Sequence, residues 1–159
     1  MAEDLVAADI RVAKTLPSKF YFEDEIFKSL KSIFNSWQFA FHDSEMSTNS
    51  IIPLDHIEAI TGEPTIIVSG DKTQCLSNIC THRGMRLTSQ PCTKSILQCE
   101  YHGRTFDLDG KMKHMPEFEQ AIGFPSESDN LRNFPMHRWN GLHFVSQDSE
   151  QHLPWVEIG

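Results

Sequence analysis

Two short stretches, Cys80-Thr81-His82-Arg83-Gly84-Met85 and Cys99-Glu100-Tyr101-His102-Gly103-Arg104, decide the fold of this 159-residue chain. Each offers one cysteine and one histidine, spaced Cys-x-His in the first and Cys-x-x-His in the second, with sixteen residues between His82 and Cys99. Such a set suits a binuclear site in which two thiolates hold one iron and two imidazoles hold the other. A glycine in each stretch lets the backbone approach closely enough for amides to point at inorganic sulfide.

Zinc is the main alternative for the same four side chains, because two cysteines and two histidines also satisfy a tetrahedral ion. Zinc fingers, however, usually pair cysteine with cysteine and histidine with histidine, whereas each stretch here mixes the two types. The pattern therefore favours a Rieske [2Fe–2S] cluster over zinc or an unliganded site. Its predicted ligands are Cys80, His82, Cys99 and His102.

Around these residues the chain resembles the N-terminal Rieske domain of the oxygenase α subunits of ring-hydroxylating and related non-haem iron oxygenases. The resemblance begins at LPSKFYFEDEIFKSLKSIFNSWQFAFH (16–42), which looks like the family's opening helix, and runs through ITGEPTIIVSGDKTQCLSNICTHRGMRL (60–87) to WNGLHFVSQ (139–147). It implies that the two cysteines hold an inner ferric iron and that the two histidines hold an outer iron near the surface.

Four residues in the two stretches bear on the reduction potential. Rieske proteins of respiratory and photosynthetic cytochrome complexes carry a disulfide and a sulfide-bonding serine where this chain has Met85, Tyr101 and Arg104. Because the potential depends on hydrogen bonds to the sulfurs and on solvent, we predict a low-potential cluster, with a midpoint below zero. Glu100 and Arg104 also stand where the oxygenase family usually has proline and tryptophan, so the potential and the docking surface are expected to differ.

The oxygenase family holds a mononuclear iron in a C-terminal domain, through two histidines and a carboxylate. Its ligand run is an acid, two residues, a histidine, four residues and a histidine, and these 159 residues contain no such run. The nearest candidates, His137 and His143, are six apart and are interpreted as ordinary strand histidines. The chain is therefore predicted to carry electrons and to contain no catalytic residue, with a mononuclear iron expected only in a catalytic domain outside it.

Three functions remain open. The first is the electron-transfer domain of an oxygenase α subunit, an oxidoreductase; the resemblance implies a ferredoxin or flavin-containing reductase as donor, a catalytic domain as acceptor and a homotrimeric assembly. The second is a free-standing Rieske ferredoxin, although such ferredoxins generally lack the long N-terminal helix. The third is a zinc-stabilised interaction module.

Turn residues and short apolar runs predict a mainly β, antiparallel fold. Predicted strands are residues 56–61, 65–69, 73–78, 95–98, 104–108, 111–114, 131–138 and 142–146. The turns at 70–72 and 109–110 each close a hairpin, so the ligand loops lie at hairpin ends. With the resemblance, this becomes a Rieske-type antiparallel β-sandwich with a small cluster-binding subdomain at about 79–115, followed by a surface excursion at 115–130.

One amphipathic helix is predicted ahead of the strands. Its stripe of apolar residues recurs at spacings of three or four: Phe22, Ile26, Leu30, Ile33 and Trp37. Such a stripe usually faces its own core, so we expect it to dock on a sheet and not on another subunit. The domain organisation is then a loosely ordered lead-in at 1–16, a single Rieske domain at 17–150 and a tail or interdomain linker at 151–159.

Composition narrows the class of partner. The formal net charge is −8, the sequence contains no run of lysine or arginine, and no apolar stretch approaches the length of a membrane span. We therefore expect neither nucleic acid nor membrane as a partner, and a cytoplasmic location. In a reducing cytosol, the two remaining cysteines, Cys75 and Cys92, are predicted to be free thiols.

Overall fold

The computed structural model describes residues 7–30 and 36–148, and the chain divides into two compact units at residues 34 and 35. The first unit contains two short helices, α1 (Lys19–Phe22) and α2 (Asp24–Leu30), where one helix was predicted. The break falls at Glu23, whose backbone is extended at φ −87° and ψ 120°. Acidic residues begin α2 and Lys28 lies in its last turn, which complements the helix dipole.

The predicted apolar stripe is partly described. Neither helix has a buried residue, and Phe22 is 84% exposed. That this stripe docks on a sheet stays a prediction. Ile33 lies outside the described residues. No helix in the described ranges is long and apolar enough to cross a membrane.

The second unit, residues 35–159, is mainly β with antiparallel pairing, which confirms the predicted fold class. Its strands are β1 (Gln38–His42), β2 (Ser50–Pro53), β3 (Thr65–Ser69), β4 (Thr73–Ser77), β5 (Cys92–Thr93), β6 (Leu97–Gln98), β7 (Thr105–Phe106), β8 (Met112–His114), β9 (Asn133–Phe134), β10 (Met136–Trp139) and β11 (Leu142–Val145). A helix, α3 (Asp55–Thr61), joins β2 to β3. The strands form sheets in the orders β1-β11-β10, β5-β2-β3-β4-β9 and β6-β7-β8.

The central five-stranded sheet separates two hydrophobic cores. In β3, Ile66 and Val68 contribute to one core and Ile67 to the other, as the two-residue period of a strand requires. The first core also contains both Cys80 and Cys99. The predicted ligand cysteines are therefore packed into the core between the central sheet and the small sheet β6-β7-β8.

Residues 56–61 were predicted as a strand, and this prediction is wrong because they form α3. Asp55 and Glu58 lie in its first turn, and Gly62 ends it in the left-handed conformation, with its amide donating to the carbonyl of Glu58 at 2.7 Å. Ile57, which is 1% exposed, anchors the helix in the second core.

Strands β10 and β11 carry His137 and His143, which confirms that both histidines are strand residues. His143 is 7% exposed, stacks on Phe41 with ring centroids 4.1 Å apart, and places its Nε2 2.6 Å from Oδ1 of Asp43. Arg138 donates to the same carboxylate from Nε at 3.0 Å. The Asp43 carboxylate therefore connects the 3-10 helix that follows β1 to the other two strands of the sheet, β10 and β11.

Candidate metal centre

The first ligand loop follows β4 and is closed by backbone hydrogen bonds. The amide of Cys80 donates to the carbonyl of Met85 at 2.8 Å, and the amide of Gly84 donates back to the carbonyl of Cys80 at 3.0 Å. Gly84 has a φ of 72°, which favours glycine. Asn78, fully buried, fixes the base of the loop by donating to the carbonyl of Thr88 at 2.7 Å and accepting from its amide at 3.0 Å.

The second ligand loop joins β6 to β7 and repeats the same pattern. The amide of Cys99 donates to the carbonyl of Arg104 at 2.8 Å, and the amide of Gly103 donates to the carbonyl of Cys99 at 3.0 Å. Gly103 has a φ of 74°. The two loops therefore share one pattern of backbone hydrogen bonds, with glycine four residues after cysteine. Their ligand spacing differs only in whether histidine is the second or the third residue after cysteine.

The two loops bring the four predicted ligands together as two pairs. Cys80 and Cys99 are each 2% exposed, and their thiols interact directly. His82 and His102 are half-buried, with ring centroids 4.8 Å apart at an interplanar angle of 71°. The sulfur pair thus lies in the core and the nitrogen pair lies nearer the surface.

The donor set suits a two-iron cluster, because two thiols lie together in the core and two imidazoles lie together nearer the surface. The Nδ1 atom of His102 is buried and has no hydrogen-bond partner among the residues that the structure describes. An orphaned ring nitrogen is costly unless a metal ligates it, so its position fits a ligand of the outer iron.

The surroundings favour the neutral form of one thiol and one imidazole of the set, Cys80 and His82. Burial raises the pKa of the Cys80 thiol, the Cys99 thiol adds to this rise, and the charge of Arg104 acts against it. Burial lowers the pKa of His82, helped by the charges of His102 and two arginines. The imidazole of His82 is thereby kept in the neutral form that binds a metal.

Arg104 is a site residue whose contacts the sequence did not predict. It is 3% exposed, and its Nη1 donates to Oγ1 of Thr81 at 2.7 Å and to Oδ1 of Asp129 at 3.3 Å. Its guanidinium carbon lies 5.3 Å from the ring centroid of Phe124. Thr81 in turn donates to the carbonyl of Asp129 at 2.7 Å. Arg104 therefore joins both ligand loops to the 115–130 segment.

Aromatic rings surround the two histidines. Tyr101 packs on His102 with ring centroids 3.8 Å apart, and Phe118 meets His82 edge-on at 6.3 Å. Phe118 also packs against Phe124 at 5.0 Å. The predicted surface excursion is thus mostly exposed, as expected, but its two phenylalanines cover the candidate site, which its proline-rich and acidic composition did not indicate.

The cysteines outside the site are free, as predicted. Cys75 is fully buried in the second core, and this burial raises the pKa of its thiol to about 12. Cys92 is half-buried at the edge of the central sheet.

Comparison with known proteins points to one family. The profile of the Rieske [2Fe-2S] domain matches residues 36–135. The chain is 31% identical over 147 residues to the carnitine monooxygenase oxygenase subunit of Escherichia coli (strain K12), covering 89% of this chain and 38% of that protein. It is 32% identical over 138 residues to the glycine betaine monooxygenase oxygenase subunit of Chromohalobacter salexigens, covering 83% of this chain and 30% of that protein.

Solved structures agree with these matches. The quaternary ammonium Rieske monooxygenase CntA with L-carnitine superposes with a TM-score of 0.79 at 28% identity, covering 89% of this chain and 41% of that one. Naphthalene 1,2-dioxygenase with bound indole shares the fold, with a TM-score of 0.74 at 22% identity over 95% of this chain and 34% of that one. The chain thus spans about two fifths or less of the length of the relatives it matches.

Proposed function

The chain belongs to the Rieske [2Fe–2S] domain family, and on that premise we propose that it carries single electrons as the N-terminal part of a Rieske oxygenase α subunit. The observation that carries the proposal is the pairing of two buried thiols with two half-buried imidazoles on two loops that have the same backbone hydrogen-bonding pattern. When bound, a Rieske cluster supplies reversible one-electron chemistry.

In this proposal Cys80 and Cys99 hold the inner iron, and His82 and His102 hold the outer iron. Burial of the thiols shields the inner side from solvent, and the orphaned Nδ1 of His102 is available as a donor atom. The histidine side is the exit for the electron, because these rings and the partly exposed Tyr101 lie nearer the surface.

The proposed partners follow from the family. A ferredoxin or a flavin-containing reductase supplies the electrons in the cytoplasm, and a mononuclear iron in an oxygenase catalytic domain accepts them, within a homotrimer. That iron would lie outside these 159 residues, since their sequence contains no matching ligand run. The substrate pocket would belong to the same catalytic domain.

A low reduction potential is part of the proposal. Met85 and Tyr101 stand where high-potential centres have the two cysteines of a disulfide, and neither residue can form that bond. Arg104 directs a guanidinium nitrogen to Thr81 and Asp129. We therefore expect a midpoint below zero, within the lower part of the range of roughly −150 to +300 mV that Rieske centres span.

The ligand assignment is tested by replacing one histidine. Wild-type chain assembled with iron and sulfide under anaerobic conditions should contain two irons and two acid-labile sulfides, and should give a Rieske electron resonance signal after reduction with dithionite. His102→Ala should abolish that signal. His56→Ala, which removes an exposed histidine on α3, is the matched control and should leave it intact.

Two results would overturn the assignment. An unchanged signal in His102→Ala would show that this histidine is not a ligand. Bound zinc without acid-labile sulfide in the wild-type chain would establish the zinc-stabilised module instead. A free-standing ferredoxin would pass this test and would be recognised by electron transfer to an oxygenase on a separate chain.

A further inference from the structure

Arg104 is a buried cation in contact with the framework of both ligand loops. Its backbone carbonyl accepts from the amide of Cys99, and its Nη1 donates to Thr81, the neighbour of Cys80 and His82. Only 3% of the residue is exposed. A charge at such a depth is screened little by solvent or salt, so it acts on its surroundings more strongly than a surface charge does.

The cation is only partly neutralised. Its one carboxylate neighbour in the described part of the chain is Asp129, at 3.3 Å, and that side chain is 20% exposed. The Nε atom of Arg104 is buried and unpartnered among the described residues. The guanidinium face lies over Phe124, which adds a further attraction for the cation. The charge of Arg104 therefore produces a net positive electrostatic field in the region of the site.

The position of the cation brings its field to both ligand loops. Its guanidinium binds Thr81, which lies between Cys80 and His82 in the first loop. Its own backbone closes the second loop, two residues after His102. The same field favours any state of the site that carries additional negative charge.

We infer that the buried Arg104 cation, opposed by Asp129, tunes the reduction potential of the cluster by stabilising its reduced state. The inference rests on the proposed function, since it requires the cluster. In the step concerned, a donor of the flavoprotein or iron–sulfur class gives one electron and converts one ferric iron to ferrous. No bond forms or breaks, no proton is required, and the charge of the site falls by one.

This role goes beyond the sequence-based expectation. The sequence places Arg104 where a sulfide-bonding serine or a tryptophan stands in related proteins, and on that basis alone only a low potential is expected. The structure adds a buried charge of the sign that raises the potential. The midpoint should therefore lie above that of the same cluster with a neutral residue at position 104, while still lying below zero.

The test measures the midpoint potential of the assembled protein by anaerobic titration, with the electron resonance signal as readout. Arg104→Gln and Arg104→Trp should both shift the midpoint to more negative values, because each removes the buried charge. At a fixed applied potential we expect the ratio of reduced to oxidised protein to fall by about tenfold or more, the effect that a unit charge exerts from within about 12 Å at an effective dielectric constant near 20. Arg104→Lys, which keeps the charge, should recover most of the shift.

Asp129→Asn should shift the midpoint potential in the opposite direction. Removing this carboxylate leaves Arg104 unopposed, so the midpoint should become more positive. Lys113→Gln is the matched control: Lys113 lies on β8 of the same small sheet, but its side chain is 57% exposed and its charge is screened. Its midpoint should shift much less than that of Arg104→Gln.

The outcomes separate this inference from the proposed function. Loss of iron and sulfide from the wild-type chain would contradict the cluster itself. Wild-type and variant proteins that all show the Rieske signal with one common midpoint would overturn the role of Arg104 alone. If the position-104 variants fail to assemble, Asp129→Asn decides: a positive shift supports the inference, and an unchanged or negative shift contradicts it.

Discussion

Two glycines in the ligand loops have the same backbone conformation and different surroundings. Gly84 and Gly103 have φ values of 72° and 74°. A Cβ atom on Gly84 would meet nothing within 4 Å, whereas one on Gly103 would lie 3.2 Å from Cγ of Pro116. Both positions carry the cost of a left-handed residue, and only Gly103 also carries a steric contact with the segment that covers the site.

We therefore predict that Gly84→Ala destabilises the protein by about 1 kcal/mol, the cost of the left-handed conformation, and that Gly103→Ala destabilises it further. Because Pro116 must shift in Gly103→Ala, this variant should also retain less iron after gel filtration. Urea unfolding followed by tryptophan fluorescence, together with iron content, measures both effects. Equal stability and equal iron content in the two variants would contradict the steric explanation.

At the level of single residues, the sequence predicted the four donors because their type and spacing are a local property of two short stretches. It did not predict Asn78, which fixes the first loop, since a buried asparagine with two hydrogen bonds to Thr88 looks like any polar residue at the end of a strand. The contacts of Arg104 were also hidden, because Asp129 lies 25 residues away in the chain.

Among the secondary structure elements, the hairpin of β3 and β4 was predictable because a glycine-containing turn separates two apolar runs. Helix α3 was not predicted, since Ile57 and Ala59 alternate as in a strand while Ile57 and Ile60 have helical spacing. Gly62 was the signal for a helix end that the sequence offered, since glycine adopts the left-handed conformation that it has in the structure. Strands β6, β7 and β9 fall within the predicted strands 95–98, 104–108 and 131–138, but each has only two residues, so their bounds were not predicted. Strand β5 was not predicted, since so short a strand has no readable period.

In the three-stranded sheet β1-β11-β10, one carboxylate, that of Asp43, contacts side chains of two strands. Hydrogen bonds from Arg138 and then from His143 hold the pKa of the Asp43 carboxyl well below its usual range. Because the folded-state pKa is depressed, this carboxylate stabilises the folded state fully above its unfolded pKa of about 3.9. The contribution is lost progressively as the pH falls from there through the folded-state value.

Asp43→Asn should therefore unfold at a lower temperature than the wild-type protein at pH 7, because Arg138 and the buried His143 lose their ionised partner. The difference between the two proteins should shrink as the pH falls below about 4, where the wild-type carboxylate begins to be protonated. Thermal unfolding measured in parallel from pH 7 to pH 3 tests this, and acid effects on the rest of the molecule cancel in the difference. Asp71→Asn, in the turn between β3 and β4, is the control. A difference that grows toward low pH would refute the assignment.

At the scale of the whole molecule, two of the four proposed ligands also belong to a hydrophobic core. Cys80 and Cys99 are members of the first hydrophobic core, together with Leu97 and Phe106 of the small sheet. Metal bound by these thiols, as proposed, would stabilise the packing of the small sheet on the central sheet, since metal affinity for the folded state adds to folding free energy. The strands of the small sheet have only two or three residues each.

The division of the chain into units predicts which part is sufficient for the cluster. Both hydrophobic cores and all four proposed ligands lie within residues 35–159, and the Rieske family match begins at residue 36. Neither α1 nor α2 contributes a buried residue. Deletion of residues 1–34 should therefore preserve two irons per chain, the Rieske resonance signal and the midpoint potential.

The same deletion tests the sequence-based expectation that the apolar stripe of the helices docks on a sheet. If the stripe contributed a face of the core, its removal would expose that face and lower the stability by several kcal/mol, since burying one large apolar side chain contributes about 1.5–3 kcal/mol. Because both hydrophobic cores are formed within residues 35–159, urea unfolding of this segment should match that of the full chain within about 1 kcal/mol. A larger loss of stability, or loss of the cluster, would show that the first unit supports the second.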